Sequence, residues 1–64
     1  MQKYNIRESY SKEYVLKNIT AEEVLDFIGE QAQLHNYGIY RTWQSEYDTT
    51  LFDTGPTTYE VMPV

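Results

Sequence analysis

The sequence predicts an α+β domain in which a single helix packs on a small antiparallel sheet, with the element order ββαββ. Three observations predict it. Stretches of alternating apolar and polar residues stand on both sides of the chain's middle, which is the period of half-buried strands. Between them lies one helical pattern with a well-marked start. The chain has 64 residues, enough for one domain over 1–64, and one helix on one sheet face is the layer solution for that order.

Lys3 to Tyr10 alternates, with Tyr4, Ile6, Glu8 and Tyr10 on one side and Asn5, Arg7 and Ser9 on the other, as a first strand would. Ser9 to Lys12 is short and polar, and Glu13 to Ile19 then places Val15, Lys17 and Ile19 opposite Tyr14 and Leu16. A hairpin follows from that order. Thr20-Ala21-Glu22-Glu23 is a capping box: the Thr20 hydroxyl can accept the Glu23 amide proton while the Glu23 carboxylate reaches back to the Thr20 amide. Ile19 and Val24 flank it as a hydrophobic staple. Ala21, Val24, Leu25, Ile28 and Ala32, broadened by Phe27, form the apolar face of a helix over 21–35, with Asn36 or Gly38 as its left-handed stop. Gly29 inside that helix costs about 1 kcal/mol against alanine, and a close approach of the sheet would account for it.

Gly38 to Tyr47 alternates again with the β-rich composition of a strand. Asp48-Thr49-Thr50 reads as a turn. Leu51 to Thr54 and Thr57 to Met62 form two short extended pieces, or one bulged strand, interrupted by Gly55-Pro56.

A domain this small buries roughly 60% of its unfolded surface, so its stability margin is expected to be thin. The chain has no cysteine, which removes disulfides and thiolate metal sites from the means of reinforcing it. No apolar run reaches signal-peptide or membrane length, so a cytoplasmic protein is expected, with no membrane partner. Net charge is −5 and unevenly placed. Residues 1–19 carry Lys3, Arg7, Lys12 and Lys17 against Glu8 and Glu13; from residue 20 onward Arg41 alone opposes eight carboxylates. Such a surface repels phosphate backbones, which argues against direct nucleic-acid binding.

The sequence offers few chemical signatures. His35 is the only histidine and has no cysteine beside it, so a metal site is not expected, and neither is a cofactor. Ser9, Ser11 and Ser45 lack a nucleophile-elbow context, and three glycines make no phosphate loop. Leu51-Phe52-Asp53-Thr54-Gly55 resembles the catalytic strand of aspartic proteases, which implies Asp53 as a catalytic carboxylate in an enzyme that a homodimer would complete. That family requires two such carboxylates sharing a proton, and a helix stands upstream where the family has strands. Asp53 and Gly55 are therefore read as a turn, with the Asp side chain bonding nearby amides, and the protein as no enzyme.

Two surfaces remain as binding candidates. Glu22, Asp26 and Glu30 fall at i, i+4 and i+8 on one helical stripe, with no Lys or Arg between Lys17 and Arg41; like charges at that spacing repel. A solvated face explains them, and so does an acidic docking face for a basic protein surface where carboxylates stand in for phosphates. Seven tyrosines are too many to seat in so small a core, and a sheet face bearing Tyr40, Trp43 and Tyr47 suits a partner patch or a homodimer seam.

Size, acidity, lack of cysteine and the order from Lys3 to Tyr10, Glu13 to Ile19, the capped helix at Thr20 and the strand from Gly38 resemble the small accessory proteins of bacteriophages and mobile elements. These include the RNA polymerase inhibitor of T7-like phages and anti-CRISPR proteins. The resemblance is of pattern and equates no individual residue. It implies a non-enzymatic inhibitor acting in the host cytoplasm by occupying a host protein, such as a nucleic-acid enzyme. The alternative is a small self-associating structural domain, a homodimer.

Overall fold

The structure, a computed structural model, describes residues 1–35, 41–44 and 49–64, with 41–44 described by their backbone. Its elements are β1 (Tyr4–Glu8), β2 (Tyr14–Ile19), α1 (Ala21–Leu34), β3 (Arg41–Gln44), β4 (Thr50–Asp53) and β5 (Thr58–Pro63). The α+β class and the expected order hold, the last segment being two strands joined at Gly55-Pro56. All pairings are antiparallel, and the sheet order is β2-β1-β5-β4-β3. The first and last strands are thus neighbours inside the sheet. The connection through α1 carries the chain from one edge strand to the other.

Register explains the core. Ile6 stands opposite Val61, Val61 opposite Thr50, and Tyr59 opposite Phe52, so alternation turns this set to one face. On it Ile6, Phe52, Tyr59 and Val61 pack with Val24 and Ile28 of α1, joined by the partly buried Tyr4, Ile19 and Phe27. The Phe27 and Tyr59 rings meet edge to face, 5.2 Å between centroids at 81°, an arrangement their quadrupoles favour. Burial pushes the Tyr59 hydroxyl pKa up, the nearby Glu8 carboxylate adds to the rise, and a side-chain hydrogen bond with Thr57 opposes it.

Helix α1 starts as its sequence demands. The Thr20 hydroxyl accepts from the Glu23 amide at 3.2 Å, and the Thr20 amide donates to Glu23 Oε1 at 2.9 Å. The Thr20 backbone amide and then its hydroxyl hold the Glu23 carboxyl below its usual value. The buried face is narrower than the apolar pattern: Val24, Ile28 and Ala32 are buried, whereas Ala21 is exposed and Leu25 more than half exposed. His35 is the C-cap, and its amide donates to Gln31 O; Asn36 and Gly38, expected as the stop, lie outside the described residues. A Cβ added to Gly29 would meet nothing within 4 Å. Close approach of the sheet therefore does not account for that glycine.

Strand β2 departs from simple alternation. Leu16 stands opposite Ile6 and Ile19 opposite Tyr4, with register shifts on both sides of Ile6, so Leu16 and Ile19 share a side instead of opposing one another. The physical cause is bulging: Asn18 has φ 58°, and its amide donates to Asn5 Oδ1 at 2.8 Å. Bulges of this kind end regular pairing at a sheet edge.

Candidate functional site

The acidic stripe is where the sequence places it. Glu22, Asp26 and Glu30 are all exposed on α1, and none of them has an ion pair among the described residues. Asp26 and Glu30 line a shallow groove with Leu25, Gly29 and Gln33. Of the aromatic candidates, Tyr40 and Tyr47 lie outside the described residues, and of Trp43 only the backbone is described, paired with Leu51. Among the described residues no group of three His, Asp or Glu side chains could hold a metal ion, and no helix is long and apolar enough to cross a membrane.

Asp53 ends β4, and its side chain caps the turn that follows. Its Oδ1 accepts from the Gly55 amide at 3.0 Å, while the Thr54 amide and hydroxyl both donate to Thr57 O, at 3.0 and 2.8 Å. Thr54 is wholly buried, and Gly55 takes φ 108°, a conformation open to glycine at little cost. The Asp-Thr-Gly run is explained by this hairpin.

A charged cluster that the sequence reading missed occupies the opposite side of the sheet from α1. Glu60, in the middle of β5, is 6% exposed. Its Oε1 accepts from Arg7 Nε at 2.5 Å, and its Oε2 accepts from Lys12 Nζ at 2.7 Å and from the Ser9 hydroxyl at 3.2 Å. Burial raises the Glu60 carboxyl, but hydrogen bonds from Lys12 and Arg7, with their charges, outweigh it and hold the group below its usual value. The same hydrogen bond, opposed by desolvation and aided by the Glu60 charge, pushes the Arg7 guanidinium up. Arg7 also lies 5.8 Å and Lys17 4.9 Å from the centroid of the Tyr14 ring, within cation–π range. The one signal in the sequence was a carboxylate between Tyr59 and Val61; its partners depend on β1 lying beside β5.

Lys12 reaches Glu60 from the β1–β2 loop with φ 63°, a left-handed conformation that L side chains adopt at a cost. The loop is tied throughout. Glu8 and Glu13, and Lys12 and Glu8, are joined by backbone hydrogen bonds, both at 2.9 Å, and the Ser9 amide donates to Thr58 O at 2.8 Å. Ser11 donates its hydroxyl to Glu8 Oε1 and accepts from the Glu13 amide. Tyr10 stands fully exposed at the tip.

Compared with protein-family models, curated proteins and solved structures, the chain matches none of them.

Proposed function

We propose that the protein is a non-enzymatic binding module, an inhibitor of the phage accessory type, which docks the α1 stripe of Glu22, Asp26 and Glu30 onto a basic surface of a larger nucleic-acid enzyme. The observation that supports it is the separation of charge. The described ion pairs join Arg7 and Lys12 to Glu60, and Arg7 and Lys17 flank Tyr14, so these cations are engaged on the side of the sheet away from the helix. The stripe stays exposed, with no ion pair among the described residues. Three carboxylates about 6 Å apart along one side of the helix present a row of anionic charge. Such a surface accelerates encounter with a basic channel.

The test is capture of bacterial lysate proteins on the tagged protein beside a variant with Glu22, Asp26 and Glu30 changed to Lys. A nucleic-acid enzyme retained by the wild type, displaced by short duplex DNA and lost with the variant is the expected result. Retention that survives both the variant and raised salt would sink the electrostatic docking.

A further inference from the structure

We infer that the cleft beside the β1–β2 loop, lined by Glu8, Ser9, Tyr10, Pro56, Thr57 and Thr58, receives an arginine or lysine side chain of a partner polypeptide. The cleft has a volume of about 650 Å³, within the usual range of ligand sites. It lies where the two hairpin tips meet, and the Ser9–Thr58 backbone bond fastens one tip to the other.

Its walls carry the two groups that a cationic side chain seeks. Tyr10 offers a ring that nothing in the chain covers, on a loop whose neighbouring side chains Ser9, Ser11 and Lys12 are all hydrogen-bonded. An uncovered tyrosine offers a large ring face to a partner with only two side-chain torsions to order, which is what makes it an effective contact residue. Glu8 is only partly exposed and has no ion pair among the described residues. Its hydrogen bond from Ser11 occupies one of about four acceptor positions on a carboxylate. Arg7 and Lys12, the cations that could have neutralised it from within, are held on Glu60. The Thr57 and Thr58 side chains add polar wall and Pro56 an apolar one. A guanidinium or ammonium can lie on the Tyr10 face while its N–H groups donate to Glu8. The net charge of −5 brings basic chains toward it.

This site does not depend on the helical stripe, and one titration separates the two. Uniformly ¹⁵N-labelled protein is titrated with the peptide acetyl-Gly-Arg-Gly-Arg-Gly-amide, and in parallel with the same peptide carrying citrulline, which keeps the shape of arginine without its charge. Saturable shifts at the Ser9, Tyr10, Thr57 and Thr58 amides are expected. They should weaken about fivefold with citrulline, with Glu8→Gln, which preserves an acceptor for Ser11, and with Tyr10→Ala, whose side chain supports nothing. Shifts confined to residues 22–30 would overturn the cleft while leaving the helix reading standing; shifts confined to the cleft would support it and count against the helix. An equal response to the citrulline peptide would overturn recognition of a cation.

Discussion

Replacing Glu60 with Gln should cost about 2 kcal/mol of stability at neutral pH, in a manner that identifies the carboxylate's charge as the cause. The substitution keeps the shape and one acceptor oxygen but turns the second oxygen into a donor facing Arg7 or Lys12. Charge-assisted hydrogen bonds are roughly twice as strong as neutral ones, and bonds to charged groups contribute about 1.5–3 kcal/mol. Lys12, whose side chain is 56% exposed, is screened by water and falls near the exposed-pair value of about 0.5 kcal/mol. Arg7, with 28% exposure, supplies most of the loss. Relief from burying a carboxylate offsets part of it, so the total stays well below the 3–5 kcal/mol of a fully buried broken pair.

The pH dependence separates charge from packing. Because the folded Glu60 carboxyl lies below its usual value, its stabilisation is fully present above the unfolded pKa of about 4.3. It is lost as pH falls from there through the folded value. The wild type and Glu60→Gln should therefore differ by the full amount at pH 7 and converge toward pH 3. Glu23 is also held low, but it is common to both proteins and cancels in the difference. Urea unfolding followed by far-ultraviolet circular dichroism across that range measures it. A gap under about 0.5 kcal/mol at pH 7, or one unchanged at pH 3, would refute the reasoning.

The Lys12 backbone gives a sharper pair: Lys12→Ala and Lys12→Gly both lose the bond to Glu60, but only glycine is relieved at φ 63°, so the glycine variant should be more stable by about 1 kcal/mol in urea unfolding. Gly29→Ala meets open space and should stabilise by about 1 kcal/mol, raising the thermal midpoint by about 4–8 °C in a domain of this size. Thr20→Ala removes the cap that joins the Thr20 hydroxyl to the Glu23 amide and should cost about 1 kcal/mol, read in the same thermal melts.

What the sequence discloses here is what short-range chemistry decides. The capping box needs residues 20 and 23 only, and it forms; the Gly55-Pro56 break needs its immediate neighbours only, and it becomes a hairpin. The Glu60 cluster joins residues 53 and 48 positions apart, and no local pattern specifies that β1 and β5 are neighbours. The β2 pattern misled for a related reason. Simple alternation runs straight through Lys17 and Asn18, but the bond from the Asn18 amide to Asn5 Oδ1 stabilises a left-handed residue there, and each bulge exchanges the faces beyond it. The acidic stripe was legible because helical spacing alone fixes it. Its lack of ion pairs among the described residues was not, since Arg7 and Lys12 are drawn to Glu60 by the pairing of β1 with β5.

That separation means the stripe can be altered to give opposite effects on folding and on binding. Asp26 lies four residues from both Glu22 and Glu30, so Asp26→Lys replaces two repulsive i, i+4 pairs with two attractive ones. Each pair changes by several tenths of a kcal/mol. The Glu-before-Lys order at 22 and 26 is the more favourable and the reverse order at 26 and 30 the less; position 26 lies beyond the first turn, where the helix dipole's preference for an acid has faded. Asp26 is exposed, so neither packing nor an ion pair is lost. Stability should rise by about 1 kcal/mol, while capture of a basic partner weakens and its association becomes less sensitive to salt. A residue that serves only as a solvated helix position would give the gain in stability with no change in binding, and a partner retained equally by wild type and Asp26→Lys would assign the stripe to solubility alone. A chain that keeps three mutually repelling acids at a cost in helix stability, with Arg7 and Lys12 held on Glu60 across the sheet from them, is consistent with the docking role proposed for that face.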